Sequence, residues 1–281
     1  MRLDAFMQNN PANMEHAPYA VRCLQEGVWM IEDGTPTKSC SYVVEGADSA
    51  ALIDTGSECG GDLLALVASF TSKPVKLLVT HGHPDHASFL DRVERFYMSE
   101  KDIPLLVSFT PENAAQVQKC VPIDETTRID LGGVELYTIS VPGHSPGSVL
   151  FADPWHGYVF SGDAFGSGEG VWLQVPGASN MSEYLIATEH ALARLDEIFP
   201  ERNYVILPGH AYQMFIGVPG YVPNPVNREL LLDMAGLCRK VLCAEITPTA
   251  PKETDTAFTN EPVLRVQHGR ASAVCIRSRF Q

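Results

Sequence analysis

Four apolar runs in this 281-residue chain stop on a histidine or an aspartate. "VKLLVT" runs into His81, "VELYTISVPG" into His144, "YVFSG" into Asp163 and "YVILPG" into His210. Short runs of branched and aliphatic residues bounded by turn formers read as buried β-strands. Polar residues that follow such runs meet only if the strand ends lie along one edge of a sheet. A glycine precedes each of the last three, which lets the backbone come close to its neighbours there. The arrangement demands a layered α/β fold with one functional edge.

The rest of the pattern is consistent with such layers. "SYVVEG" and "SAALIDTG" read as a hairpin turning at Gly46-Ala47-Asp48, with Asp54 at a strand end. "GGDLLALVASF" has helical spacing, and "DHASFLDRVERFY" is expected as a helix starting at Asp85. "IPLLVSF" reads as a strand, and "PENAAQVQKC" as a short helix with proline at its start. Strands are expected again over "VELYTISVPGH" and "GSVLFADPWHGYVFSGD", then an amphipathic helix from Ser182, its expected cap, to Phe199. A strand over "YVILPGH", a helix over "NRELLLDMAGLCRKVLCAEI", a Pro- and Thr-rich loop over 247–262 and a hairpin over "VLRVQHGRASAVCIR" complete the chain. Residues 1–281 are expected to form one domain, with 222–281 supplying a helix and terminal hairpin that complete it.

Composition narrows the partners. With 34 acidic against 20 basic residues the formal charge is −14, and the longest run of basic residues is the pair Arg239-Lys240. Such a surface repels phosphate polymers and anionic membranes, so neither nucleic acid nor a membrane is expected as partner. The amino-terminal stretch has no apolar core of the signal-peptide kind and no later segment approaches a membrane span, so a cytoplasmic protein is expected. The seven cysteines follow no CxxC spacing, and reduced thiols are expected. The sequence carries no sign of oligomeric state.

The densest chemistry lies in "THGHPDH", residues 80–86. His81 and His83 are two apart, so on an extended segment both imidazoles leave one side and can meet one ion. Asp85 and His86 are directed elsewhere and can serve a second. Each ion still lacks ligands. His144, Asp163 and His210 can supply them, two imidazoles completing the ions and one carboxylate able to bridge.

The motifs "IDTG", "THGHPDH", "PGHSPGS", "SGDA" and "PGH", in this order, resemble the metallo-β-lactamase superfamily. The resemblance implies a four-layer αβ/βα sandwich with the site at one edge. It implies His81, His83 and His144 on a first metal, Asp85, His86 and His210 on a second, and Asp163 between them. Asp54 would orient the ligands from behind. Zinc is the expected metal at both sites, with iron or manganese also compatible. An aspartate at 163 resembles the hydroxyacylglutathione hydrolase, lactonase and phosphodiesterase branches rather than the lactamases with a cysteine ligand. Trp172 stands where the glutathione-thioester branch has a basic residue, and Gly166 where the acyl-homoserine lactonase branch has a tyrosine.

These features predict a dinuclear metal-dependent hydrolase that attacks a small ester, thioester or lactone with a metal-bridging hydroxide, Asp85 shuttling a proton to the leaving group. A phosphodiesterase of small molecules is the alternative that the same metals would serve. A metal-binding, ligand-sensing regulatory module with weak hydrolysis is the alternative from another class. Two stretches beside ligands are expected to wall the substrate pocket: "GDAFGSGEGVWLQVPG", with Phe165 and Trp172, and "AYQMFIGVPGYVPNP", with Tyr212, Phe215 and Tyr221.

Overall fold

The computed structural model of the chain describes residues 14–16, 18–166, 170–211, 227–256 and 258–280. Eight strands follow one another in chain order across a first sheet: β1 (Met14–His16), β2 (Tyr19–Gln25), β3 (Val28–Asp33), β4 (Cys40–Glu45), β5 (Ala50–Ile53), β6 (Val75–Leu78), β7 (Phe96–Met98) and β8 (Cys120–Pro122). Pairing is antiparallel through β5 and parallel from β5 to β8. The second sheet has β9 (Arg128–Asp130), β10 (Glu135–Ser140), β11 (Val149–Asp153) and β12 (Tyr158–Gly162), with β14 (Val205–Pro208) added parallel to β12. A small third sheet joins β13 (Val171–Trp172) to the terminal hairpin of β15 (Val263–His268) and β16 (Ala271–Ile276).

Alternating side chains explain the layering. Along β4 and β5, Tyr42, Val44, Ala51 and Ile53 face one apolar cluster while Val43, Ala50 and Leu52 face another. The first cluster lies between the two large sheets and includes Leu136, Phe151, Phe160 and Leu207 from the second. The other is closed by helix α1 (Leu63–Phe70) through Leu63, Leu66 and Val67. On the far side of the second sheet, α3 (Met181–Ile198) and α4 (Arg228–Leu242) bury Tyr184, Ala191, Leu195, Met234, Leu237 and Cys238 against Ile139, Leu150 and Val159. The result is helix, sheet, sheet, helix. Strands covered on both faces can be apolar at every position, which is why β4, β5, β11 and β12 read as unbroken runs.

Several elements differ from the sequence reading. No α-helix starts at Asp85: residues 85–97 hold turns, a 3₁₀ turn at Leu90–Arg92 and then β7. The His86 carbonyl accepts the Thr55 backbone N–H and hydroxyl, at 3.0 and 3.1 Å, and so is not free for a helical bond to residue 90. Phe96 and Met98 are buried two apart, a strand period. Conversely "IPLLVSF" is helix α2 (Ile103–Phe109), with proline in its first turn and Leu105 and Leu106 buried. A short apolar run does not by itself distinguish a strand from a buried helix. "PENAAQVQKC" forms two 3₁₀ turns and the start of β8. The cap of α3 is Asn180, not Ser182: its side chain accepts the Glu183 N–H at 2.9 Å while Glu183 accepts the Asn180 N–H.

Candidate metal centre

Asp54 follows β5 at φ 58°, in the left-handed region, which aspartate tolerates better than most residues. Its Oδ1 accepts the Thr80 N–H at 2.7 Å, and its Oδ2 accepts the Thr80 hydroxyl at 2.7 Å and the His86 Nδ1–H at 2.8 Å. One buried carboxylate thereby sets the end of β6, the start of the histidine loop and the ring of His86.

The other rings are oriented in the same manner. His144 donates Nδ1–H to the Trp172 carbonyl at 2.9 Å, and His210 donates Nδ1–H to the Thr37 carbonyl at 2.8 Å. His81 Nδ1 lies 3.1 Å from the Thr80 hydroxyl, whose proton is committed to Asp54. With Nδ1 donating in each case, Nε2 is the ring atom turned inward and available to a cation. His83 is reversed and turns Nδ1 inward.

The inward atoms form two groups. His83 Nδ1 is 3.1 Å from His81 Nε2 and 2.9 Å from His144 Nε2. Three lone pairs this close repel unless a cation sits among them, and bonds of 2.0–2.1 Å to a tetrahedral ion would set the edges at about 3.3 Å. The second group is Asp85, His86 and His210: Asp85 Oδ2 lies 3.8 Å from His86 Nε2 and 3.5 Å from His210 Nε2. Asp163 lies between the groups, Oδ2 at 3.6 Å from His144 Nε2, and Oδ1 at 3.6 Å from His86 Nε2 and 3.3 Å from His210 Nε2. His86 Nε2 and Asp163 Oδ1 are buried and make no hydrogen bond within the protein, a condition that suits atoms able to ligate a cation. A side chain at Gly209 would intrude, since its Cβ would fall 2.4 Å from Asp163 Oδ1 and 2.6 Å from His86 Cε1. The donor set fits two divalent cations.

Electrostatics divides the two groups. Burial and the crowding of imidazoles hold His81 well below its ordinary value, lower His144, and bring His83 down to about 3. That trio is neutral. Burial also opposes charge on His86 and His210, but the surrounding carboxylates outweigh it, raising them to about 10 and about 9. Burial likewise opposes charge on Asp163, yet His210, His86 and His144 hold its carboxyl well below the usual range. In the metal-free protein, protons occupy the second group in place of a cation.

All seven residues expected as ligands come together. The expected pocket walls fare differently. Phe165 is 1% exposed and packs inside the cluster of α3 and α4. Trp172 is half-buried beside the site. Tyr212, Phe215 and Tyr221 lie outside the described residues. Four contributors had no sequence signal. Asp102, fully buried, accepts the Gly82 N–H at 2.9 Å, the Ser145 hydroxyl at 2.6 Å and the Gly147 N–H, tying the loop of His81 and His83 to that of His144. Thr37 contributes only a carbonyl. Phe109 packs edge-on against His83 at 5.0 Å, and Phe258 reaches Phe109 and Trp172 at 6.1 and 6.2 Å.

A family model described as the metallo-β-lactamase superfamily matches residues 34–210, and the chain belongs to that superfamily. A hydroxyacylglutathione hydrolase of Anaeromyxobacter dehalogenans is 30% identical over 168 residues, 58% of this chain and 61% of that protein. The chain thus spans under two thirds of that relative. The acyl-coenzyme A thioesterase MBLAC2 of Gallus gallus is 25% identical over 261 residues, 79% of this chain and 90% of that protein. Among solved structures, a metallo-β-lactamase from Pontibacter korlensis superposes with a TM-score of 0.57 at 21% identity, covering 79% of this chain and 99% of the other. That likeness concerns the fold. No helix among the described residues is long and apolar enough to cross a membrane.

Proposed function

We propose that the protein is a metal-dependent hydrolase of small thioesters that holds two divalent cations, zinc in the first instance. The observation carrying this reading is the paired donor set: a trio of His81, His83 and His144, a second group of Asp85, His86 and His210, and Asp163 with one oxygen toward each. Divalent cations bound there supply Lewis acidity toward a carbonyl oxygen and make water a stronger acid. The names of the two relatives favour a thioester over the ester, lactone and phosphodiester that the same residues could serve.

In the net reaction water adds across the C–S bond, oxygen going to the acyl carbon and hydrogen to the sulfur. The residues of the chain divide the work. Asp163 carries its charge between the two groups, where positive charge must be neutralised. Asp54 and the Trp172 and Thr37 carbonyls keep the imidazoles in one tautomer and one orientation, so that no reorganisation is needed during turnover. Asp85 is the one donor of the seven that is not buried, its side chain 27% exposed. Its second oxygen would take a proton from water and return it to the departing sulfur.

The test is a panel of thioesters of glutathione, coenzyme A and N-acetylcysteamine beside an aryl ester, a lactone and a bis-aryl phosphate, assayed on protein reconstituted with zinc. Thioesters should show the highest kcat/KM, with turnover lost to a chelator and restored by zinc. A phosphodiester winning by tenfold or more would transfer the reading to that class. Tight ligand binding without hydrolysis of any substrate would favour the sensing module.

A further inference from the structure

Three aromatic rings run outward from the metal centre. Phe109, the last residue of α2, packs against the His83 ring at 5.0 Å; Phe258 lies 6.1 Å from Phe109 and 6.2 Å from Trp172. Trp172 returns to the centre through its carbonyl, which accepts the His144 Nδ1–H at 2.9 Å. The row therefore begins and ends at two ligands of the same trio, His83 and His144. We infer that Phe109, Trp172 and Phe258 form an apolar wall that receives the acyl chain of the substrate, so that the enzyme favours thioesters of longer, unbranched acyl groups. This inference rests on the thioester reading above.

Phe258 is what sets this row apart from ordinary packing. It is 57% exposed, and its backbone sits at φ 72°, where a bulky side chain is an outlier. Such conformations persist only where the surroundings impose them, and they gather at ligand-binding positions. Here the surroundings are anchored. Asp255, buried three residues earlier, accepts Arg265 Nε–H at 3.0 Å, Arg265 Nη2–H at 2.6 Å and the Lys252 N–H at 2.8 Å. Its carbonyl accepts the Gln174 side chain at 3.2 Å, and Gln174 is two residues beyond Trp172. The segment carrying Phe258 is thus fastened to the segment carrying Trp172, and an exposed ring is held in a fixed place.

The chemistry of the occupant follows from the wall. None of the three side chains carries a charge. Exposed aromatic surface gains free energy by being covered with apolar groups, and an alkyl chain is a neutral, flexible partner for rings in a row. A substrate with its carbonyl at the histidines has its acyl carbons next to Phe109, and each further methylene advances toward Phe258. A methylene fully removed from water is worth a factor of about four, so partial coverage should give about two- to fourfold per methylene.

Two measurements test this. The first is kcat/KM for N-acetylcysteamine thioesters from acetyl to decanoyl, with the zinc-loaded protein and with Phe258→Ala. Alanine retains the side-chain carbon that makes positive φ unfavourable and removes only the ring. The wild type should gain with chain length until the chain outruns Phe258, and the variant should lose most of that slope, chiefly through KM. The second is calorimetric binding of the corresponding S-alkyl thioethers, which require no turnover and should show the same slope and the same loss. Thioesters hydrolysed with no dependence on chain length, or a slope unchanged in Phe258→Ala, would overturn the wall and leave the thioester reading standing. Thioethers binding with the expected slope while no thioester is hydrolysed would support the wall and overturn that reading.

Discussion

At the scale of single residues, the centre depends on two buried carboxylates with opposite tasks. Asp163 faces the space between the histidines, with one oxygen toward each group. Replacing it with alanine removes the charge shared by both groups, so metal content should fall from about two ions per chain to one or fewer. Elemental analysis after zinc supplementation checks this; full retention would show that Asp163 is not the bridge. Asp102 instead accepts from the two ligand loops, from the Gly82 and Gly147 N–H groups and the Ser145 hydroxyl. Asp102→Ala would leave the Gly82 and Gly147 N–H groups without an acceptor and the Ser145 hydroxyl with only that of Ser148, at a cost of about 3 kcal/mol. Urea unfolding of the metal-free variant measures that cost. Asp102→Asn, which keeps an acceptor oxygen, should recover part of it, whereas a change under about 0.5 kcal/mol in both variants would remove Asp102 from the framework.

At the scale of elements, the ligands sit on loops and the strands decide where those loops begin. Gly209 follows β14, and its missing side chain is what lets Asp163 and His86 approach. Gly209→Ala should push these two apart and weaken the second metal more than the first, because the atoms its Cβ would meet are Asp163 Oδ1, the oxygen turned toward the second group, and the ring of His86, a member of that group. A zinc titration with a competing chelator should resolve one weakened and one retained affinity; equal loss at both would indicate a general collapse of the edge. The elements also show where sequence patterning runs out. Unbroken apolar and β-branched runs bounded by turn residues made the β4–β5 hairpin and β10 to β12 readable. The same patterning misassigned Asp85–Tyr97 and Ile103–Phe109, and it passed over β1 to β3. Between Asp85 and Tyr97 a tertiary bond from Thr55 to the His86 carbonyl takes the place of the helical one, and no window of neighbouring residues contains Thr55.

At the scale of the whole molecule, the protonation of the centre makes the metal-free fold sensitive to pH from both sides. His86 and His210, raised to about 10 and about 9, hold protons more tightly folded than unfolded, where histidine titrates near 6.5. Their stabilisation is complete below about 6.5 and is lost as pH rises through those values. His83, lowered to about 3, with His81 and His144 lowered as well, acts in the opposite direction. Unfolded chain takes up protons that these folded residues refuse, so stability falls as pH drops below about 6.5. The metal-free protein should therefore be most stable near pH 6.5, as thermal melts across the range would show. A steady rise in stability up to pH 10 would refute the assigned protonation. Zinc loading near neutral pH should also release protons from His86 and His210 into a weak buffer, detectable with an indicator dye. We expect residues 1–281 to melt as one domain, in a single transition seen alike by fluorescence and circular dichroism. Two separated transitions would divide the terminal hairpin from the rest.

The sequence by itself determined which residues gather at the candidate centre. Histidines two apart in an extended loop, and histidine or aspartate placed straight after glycine at strand ends, are constraints written into local covalent geometry, and they survive folding unchanged. The β-strands with both faces buried were legible for a similar reason, since their continuous apolar runs leave few alternatives. Tertiary structure alone decided what surrounds the centre. Asp102, Thr37, Phe109 and Phe258 meet the site only through contacts with segments far away in the chain, and Phe165, beside a ligand in sequence, turns into the core. A hydrogen bond to a distant carbonyl or a ring stacked across two sheets depends on the path of the whole chain, and that path is set by the packing of all the layers at once.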